Sequence, residues 1–335
     1  MQGKIFIIAE AGVNHNGDLN LAQKLIDAAV EAGADAVKFQ CFKADRLVTR
    51  DAAKAAYQTA NLGGAGLSQH QMLKALELRD DDFRILKEDC DRKKICFLAT
   101  PFDEEAVDLL EPLVDRYKIS SGDCTNLPFL QVVAKKGKPV ILSTGMSSLD
   151  EVRQAVKALE GVETTLLHCT TNYPCPPKEA NLRAMLTLKK EFGLPVGFSD
   201  HTEGIEIAVA AAALGATVIE KHFTLDKKMK GPDHRASLEP NELKEMIHAI
   251  RTVEAALGDG IKRPQSSELE IRRQAARSLV AARDLKAGEI LREEDFVCKR
   301  PGTGIPPDQS GKVIGKRLKK PLKRDDLITF EVLEG

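Results

Sequence analysis

The chain of 335 residues is long enough for one large domain or two, and 43% hydrophobic residues supply a sizeable core. Its 49 Lys and Arg balance 50 Asp and Glu, and the net charge of -1 gives no bulk drive toward nucleic acid or an anionic membrane. With no Trp and three Tyr, base or sugar stacking is poorly supplied, and seven Cys without a CxxC read as reduced thiols of a cytoplasmic protein.

The run Lys4 to Glu10 (KIFIIAE) reads as a buried strand, apolar and β-branched until it stops at a charge. It is too short for a signal peptide or membrane span, and no later run is long enough. The loop AGVNHNGD leads to Asp18, a cap for the helix LNLAQKLIDAAVEAG, which ends at Gly33. DAVKFQ is the second strand. Residues 43–70 lack a period and read as a long, functional loop. Helix is predicted from Gln71 to Lys93. Strands at 95–101, 116–122, 139–145 and 164–170, then PVGFSD and TVIEKHFT, each precede a helical segment, with Ser148 opening one of them.

Eight strand–helix pairs ending near Gly258 predict parallel βαβ units closed as a (β/α)8 TIM barrel. The open doubly wound alternative lacks its nucleotide signature, since no strand is followed by G-x-G-x-x-G or a Walker A pattern. The domains are therefore read as a barrel at 1–258, a linker at 259–277 and a small β-rich domain at 278–335. The last contains a weak echo, DLKAGEIL against PLKRDDLI.

Active sites of such barrels form at the C-terminal strand ends. Those ends carry Glu10, Lys38, Thr100, Lys118 with Ser120 and Ser121, Ser143 with Thr144, Thr170 with Asn172, Ser199 with His201, and Lys221 with His222. Charge buried at strand ends is costly unless used or paired. Lys38, Lys118 and Lys221 could pair with Glu10 and Glu220, or cradle a phosphorylated or carboxylated substrate. His201 and His222 suggest a metal site with open positions. His15 is read as a substrate contact or a turn cap, His234 as able to reach the mouth, His168 as a core residue, and His70 and His248 as surface positions. No Ser-His-Asp or Cys-His set is evident, while lysine Schiff-base chemistry stays open.

The stretches IAEAGVNHNGD, ADAVKFQ, ATPFD, YKISSGD, VILSTGMS, LHCTTNYPCP, VGFSDHTEG, EKHFTLD and GPDHRASLEP, with KRPGTGI near the C-terminus, are spread along nearly the whole chain. In these the chain resembles the sialic acid synthase family, the N-acetylneuraminate synthases and their legionaminate-making relatives. The resemblance implies a TIM barrel followed by an antifreeze-like SAF domain of β-clip type. It implies condensation of phosphoenolpyruvate with an open-chain N-acetylated mannosamine-type sugar, giving a nine-carbon α-keto acid and phosphate. N-acetylneuraminate synthase is the first expectation. N,N'-diacetyllegionaminate synthase and a Schiff-base pyruvate aldolase are the alternatives, and an ice- or carbohydrate-binding protein is disfavoured by the charged KRLKKPLKRDD.

By the same resemblance His201 and His222 hold a divalent metal, manganese first, with magnesium or cobalt as alternatives, and are catalytic together with Glu10 as acid/base. Lys38, Thr100, Lys118, Ser121, Ser143, Asn172 and Ser199 match phosphoenolpyruvate-binding positions. Tyr173 and Asp233 match sugar-binding positions, and Asp123 stands where relatives commonly carry Glu. Asn61, in the 43–70 loop, is read as a further sugar contact. Arg300 matches an arginine that one subunit inserts into the barrel of the other, which implies a domain-swapped homodimer. No nucleic-acid or membrane partner is expected.

Overall fold

The computed structural model describes residues 3–55, 58–59 and 68–334. The chain divides into two units, Met1–Asp259 and Gly260–Gly335.

In the first unit the predicted alternation is borne out. Among the described residues there are eight strands: β1 (Phe6–Gly12), β2 (Ala36–Cys41), β3 (Cys96–Pro101), β4 (Tyr117–Ile119), β5 (Val140–Ser143), β6 (Thr164–Cys169), β7 (Val196–Asp200) and β8 (Val218–His222). They pair in parallel in the order β3-β2-β1-β8-β7-β6-β5-β4. The end strands β3 and β4 also lie side by side, so the sheet curls into a (β/α)8 barrel.

Helices among the described residues include α1 (Leu19–Ala32), α2 (Ala44–Leu47), α3 (Gln69–Lys74), α4 (Asp80–Lys93), α5 (Glu104–Leu110), α6 (Leu127–Lys135), α7 (Leu149–Ala158), α8 (Ala184–Phe192), α9 (Glu206–Ala213) and α10 (Pro240–Leu257). Local chemistry starts and stops them. Asp18 caps α1 by accepting from the Asn20 N–H at 2.7 Å, and Gly33 closes it in the left-handed region. Ser148 and Glu151 form a capping box on α7. Each such cap contributes about 1 kcal/mol.

Strand alternation sorts the side chains into layers. Ile8, Ala36, Leu98, Ile141, Leu167 and Val218 point inward and form an apolar plug, with Phe6 and Cys96 packed against it. Ile7, Ala9, Val37, Phe39, Phe97 and Ala99 take the other face and belong to the main core. Each buried Ile, Leu or Val of the plug contributes roughly 1.5–3 kcal/mol over exposure. Two residues beyond the plug the same inward rows turn polar, at Glu10, Lys38, Thr100, Ser143 and Glu220. That switch places the site.

The single helix predicted over Gln71–Lys93 is corrected to α3 and α4. Arg79 is extended (φ -78, ψ 157), and its N–H donates to Asp82 at 2.9 Å, starting a new helix. The break is tied to the stretch entering α2. Lys43 Nζ donates to Leu78 O at 3.1 Å, and the Ala44 N–H donates to Glu77 Oε1 at 2.6 Å. The predicted 43–70 loop thus holds α2 and the start of α3. Asn61 lies outside the described residues.

The second unit begins with α11 (Leu269–Ala275), followed by the antiparallel pair β9 (Ser278–Ala281) and β10 (Phe296–Lys299). Leu279, Leu285, Leu291, Leu318, Leu322 and Ile328 fill its core. Among the described residues, the other pairings are isolated bridges, so regular strand is sparser than predicted. The sequence echo is structural. Leu285 and Leu322 bond to each other's backbone at 2.8 and 3.0 Å. Each is followed by a turn closed the same way, Lys286 N–H to Glu289 and Lys323 N–H to Asp326.

Candidate active site

Above the plug, at the C-terminal strand ends, lies a cavity of about 270 Å³. Its wall is built from the inward rows: Glu10 from β1, Lys38 and Gln40 from β2, Thr100 from β3, Lys118 from β4, Ser143 from β5, Ser199 and His201 from β7, Glu220 and His222 from β8. Loop residues complete it, among them Phe102, Ser121, Met146, Thr171 and Tyr173.

Two ammonium groups and two carboxylates form its base. Lys38 Nζ lies 2.7 Å from Glu10 Oε2 and 3.7 Å from Glu220 Oε2, and donates to Thr100 Oγ1 at 3.0 Å. Lys118 Nζ donates to Ser143 Oγ at 2.7 Å and stands 3.6 Å from Glu220 Oε1. Ser199 Oγ donates to Glu220 Oε1 at 2.7 Å. All four charged residues are at most 4% exposed. A buried ion pair is rarely more stable than apolar packing of the same volume, and the plug shows that apolar packing was available one layer below. Charges kept in a dry layer where apolar packing was available mark a candidate site for chemistry.

Environment separates the two carboxyls. Burial pushes Glu10 up to about 7, against the pull of Lys38. Burial also works on Glu220, but Lys118 and Lys38 draw it down to about 2. Burial lowers Lys118, with Glu220 partly offsetting it, whereas Glu10 and Glu220 more than offset burial at Lys38 and raise it. A carboxyl near neutrality beside a permanently ionised one is the arrangement that divides acid/base work from charge stabilisation.

The two imidazoles fit a divalent metal. Burial lowers both, most strongly His222, so each is neutral and able to donate a lone pair. His201 Nδ1 donates to Thr170 O at 2.7 Å, which leaves Nε2, 3.4 Å from Ser199 Oγ, with the lone pair that could ligate. His222 Nδ1 is buried without a hydrogen-bond partner. The ring centroids are 5.6 Å apart, and Tyr173 packs against both at 4.1 and 5.4 Å. Among the described residues no cluster of three or more His, Cys, Asp or Glu forms a metal site, so water or substrate would complete the coordination.

Two glycines keep the cavity open. Gly12 has φ +54, and a Cβ there would sit 3.3 Å from Glu10 Oε1 and 3.4 Å from His222 Nδ1. At Gly145 a Cβ would come 2.3 Å from Thr171 Oγ1 and 2.8 Å from Ser121 Oγ, while the Gly145 N–H donates to that same Oγ at 3.0 Å.

Of the residues singled out in the sequence, Glu10, Lys38, Thr100, Lys118, Ser121, Ser143, Tyr173, Ser199, His201 and His222 meet on this wall. Others do not. Asn172 is exposed, and its neighbour Thr171 lines the cavity instead. Asp123 is half-buried, outside the wall, and accepts from Ser120 Oγ at 2.8 Å. Asp233 is buried in the segment after β8, also outside the wall, and burial raises it to about 6. Arg300 is exposed in the second unit, just after β10.

Lys221 is a correction. Alternation points it away from the cavity, and its ammonium pairs with Asp200 Oδ2 at 2.8 Å, not with Glu10 or Glu220. It neither cradles substrate nor reaches it as a Schiff-base amine. His15 takes the turn-cap role, accepting from the Gly17 N–H at 3.0 Å. His234 is buried, bonded to Thr224 Oγ1 and Asn16 Oδ1, rather than at the mouth. His168 bonds Ala180 O at 2.9 Å. His70 is half-buried against Asp45. The sequence reading missed Gln40 and underrated Glu220. Both lie two residues from a recognised site residue, Lys38 and His222, so strict period-two counting would have found them.

The fold and this charged mouth define a barrel enzyme with its site at the strand C-termini. Residues 25–262 match the NeuB family and residues 276–334 the SAF domain. The chain is 51% identical over 97% of its length to an N,N'-diacetyllegionaminic acid synthase of Campylobacter jejuni, covering 99% of that protein. It is 48% identical over 98% of its length to one of Legionella pneumophila, covering 95% of it. A crystal structure of N-acetylneuraminic acid (sialic acid) synthetase from Leptospira borgpetersenii, in complex with citrate, matches with a TM-score of 0.72 at 38% identity, covering 81% of this chain and 90% of that one. The chain belongs to the NeuB family of sialic acid synthases and is an enzyme of that family. No helix among the described residues is long and apolar enough to cross a membrane.

Proposed function

We propose that this chain condenses phosphoenolpyruvate with the open-chain form of an N-acetylated mannosamine-type sugar, yielding a nonulosonic acid and phosphate. The observation that carries the reading is the buried layer in which Lys38 and Lys118, surrounded by hydroxyls of Thr100, Ser143 and Ser199, sit beside two neutral imidazoles. When Glu10 holds its proton the two ammonium groups outnumber the one remaining carboxylate, which favours an anion carrying phosphate and carboxylate.

In this reading C3 of the enolpyruvate bonds to the aldehyde carbon, water adds at C2, and the C2–O bond breaks to release phosphate. Glu10 hands its proton to the aldehyde oxygen as that oxygen gains charge, and recovers one from the adding water. Glu220 stays ionised and holds Lys38, Lys118 and Ser199 in place. When bound at His201 and His222, a divalent ion, manganese first, supplies Lewis-acid polarisation of the acceptor carbonyl.

The acceptor we favour is the 2,4-diacetamido sugar of the legionaminate type, because two relatives at 48–51% identity carry that activity in their names. N-acetylmannosamine is the competing acceptor. A domain-swapped homodimer, with Arg300 of a second chain completing the site, is supported by charge. The second unit has an excess of Lys and Arg, and the barrel an excess of Asp and Glu.

The test is phosphate release from phosphoenolpyruvate with each sugar, after chelation and with manganese restored. Turnover only with manganese, and faster with the diacetamido sugar, is expected. Full activity after exhaustive chelation, or no release with either sugar, would sink the reading. The lowered Lys118 is the amine a Schiff-base aldolase would use. Borohydride trapping of pyruvate on it would establish that mechanism instead.

A further inference from the structure

We propose that the buried Asp200–Lys221 pair is a positioning element that sets the separation of His201 and His222. The proposal rests on the metal reading above. Asp200 precedes His201 and Lys221 precedes His222, and the two face each other in the β7–β8 register. Their side chains are 0% exposed, with Lys221 Nζ 2.8 Å from Asp200 Oδ2. The same ammonium donates to Thr202 O. The other carboxylate oxygen, Asp200 Oδ1, accepts from the Thr202 N–H at 2.9 Å and its hydroxyl at 2.7 Å. The backbone on both sides of His201 is thus tied to the residue adjoining His222.

Tyr173 packs against both rings at 4.1 and 5.4 Å, and Ser199 Oγ donates to Glu220 Oε1 at 2.7 Å two residues before the histidines, but the hydrogen bonds of the histidines themselves hold each alone. His201 Nδ1 donates to Thr170 O at 2.7 Å, and His222 O accepts from the Leu238 N–H at 2.9 Å. Neither joins one histidine to the other. Burying two charges is a poor route to stability, since apolar residues of equal volume commonly do as well. What the ion pair adds is direction, because its bonds hold only at one relative placement of the two strand ends. Groups that orient metal ligands from behind typically alter metal affinity about 10–100-fold when removed.

The experiment uses the full chain and two variants, the double Asp200→Leu/Lys221→Met and the single Asp200→Asn. Free Mn2+ is titrated by electron paramagnetic resonance well below the melting temperature, and melting is followed separately. The double variant is expected to melt near the wild type yet bind Mn2+ about 10–100-fold more weakly, with turnover recovered at high Mn2+. Wild-type Mn2+ affinity in the folded double variant overturns the proposal. Should the double variant not fold, the isosteric Asp200→Asn decides: weakened binding supports the proposal and unchanged binding overturns it. A wild-type chain that binds no Mn2+ overturns the metal reading and the proposal with it, so the two failures are distinguishable.

Discussion

At the N-terminal end of the barrel, Asp35 accepts from the Ile7 N–H at 2.9 Å, from Lys4 Nζ at 2.6 Å and from Arg251 Nη2 at 2.5 Å. Arg251 also donates to Ile5 O and Glu254 at 2.8 Å. At the C-terminal end, Glu10, Lys38, Lys118 and Glu220 bond to one another and to hydroxyls. Both ends use Asp or Glu with Lys or Arg. The first cluster keeps 17% and 25% side-chain exposure at Asp35 and Arg251 and stitches β1 to α10. The second is nearly dry, and leaves Glu220 Oε2, His222 Nδ1 and Thr171 Oγ1 buried without hydrogen-bond partners. Asp35 is lowered, because Lys4, the Ile7 N–H and Arg251 more than offset burial, whereas burial wins at Glu10. A structural cluster satisfies its polar atoms. A reactive one leaves valence for a ligand.

The sharpest way to break that contrast is Lys118→Met, which removes one of the two ammonium groups paired with the buried Glu220 carboxylate and leaves only Lys38 at 3.7 Å. It should cost about 3–5 kcal/mol in urea unfolding and abolish measurable phosphate release. Wild-type stability would show that the mouth cluster is not electrostatically coupled.

Asp233 tests burial without a compensating cation. Its raised value of about 6 means the folded chain binds this proton more tightly than the unfolded chain does. The resulting stabilisation is fully present below the unfolded value of 3.8, and is lost as pH rises through about 6. Asp233→Asn should therefore unfold with a free energy about 2–3 kcal/mol above wild type at pH 7.5 and near wild type at pH 4. Urea titrations at the two pH values check this. A pH-independent difference would contradict it.

The smallest effect is expected at the other end. Arg251→Met should lower stability by about 1–2 kcal/mol and leave turnover per folded molecule unchanged, measured by unfolding and initial rates on one preparation. Loss of turnover at full folding would erase the distinction between the ends.

Much of the candidate site was legible because strands expose their ends to simple counting. Glu10, Lys38, Thr100, Lys118, Ser143, Ser199, His201 and His222 each lie at or near the C-terminal end of a strand-like run, and all reach one wall. The failures share a cause. Lys221 and Thr144 belong to the same strand ends but to the opposite parity, so they face outward and bond to Asp200 and to Leu167 O. Asn172 sits in a loop, where no period predicts direction.

The sequence by itself determined the alternation of elements, the caps that bound the helices, the family motifs and the strand-end chemistry, since these depend on neighbours a few residues apart. The tertiary structure alone decided which strand-end groups share a cavity. It showed Glu220 between two lysines from strands about 100 and 180 residues away in the chain, and turned Lys221 from a mouth residue into a buried staple. Pairing, desolvation and the resulting proton affinities are set by distances between residues remote in sequence, which no local pattern specifies.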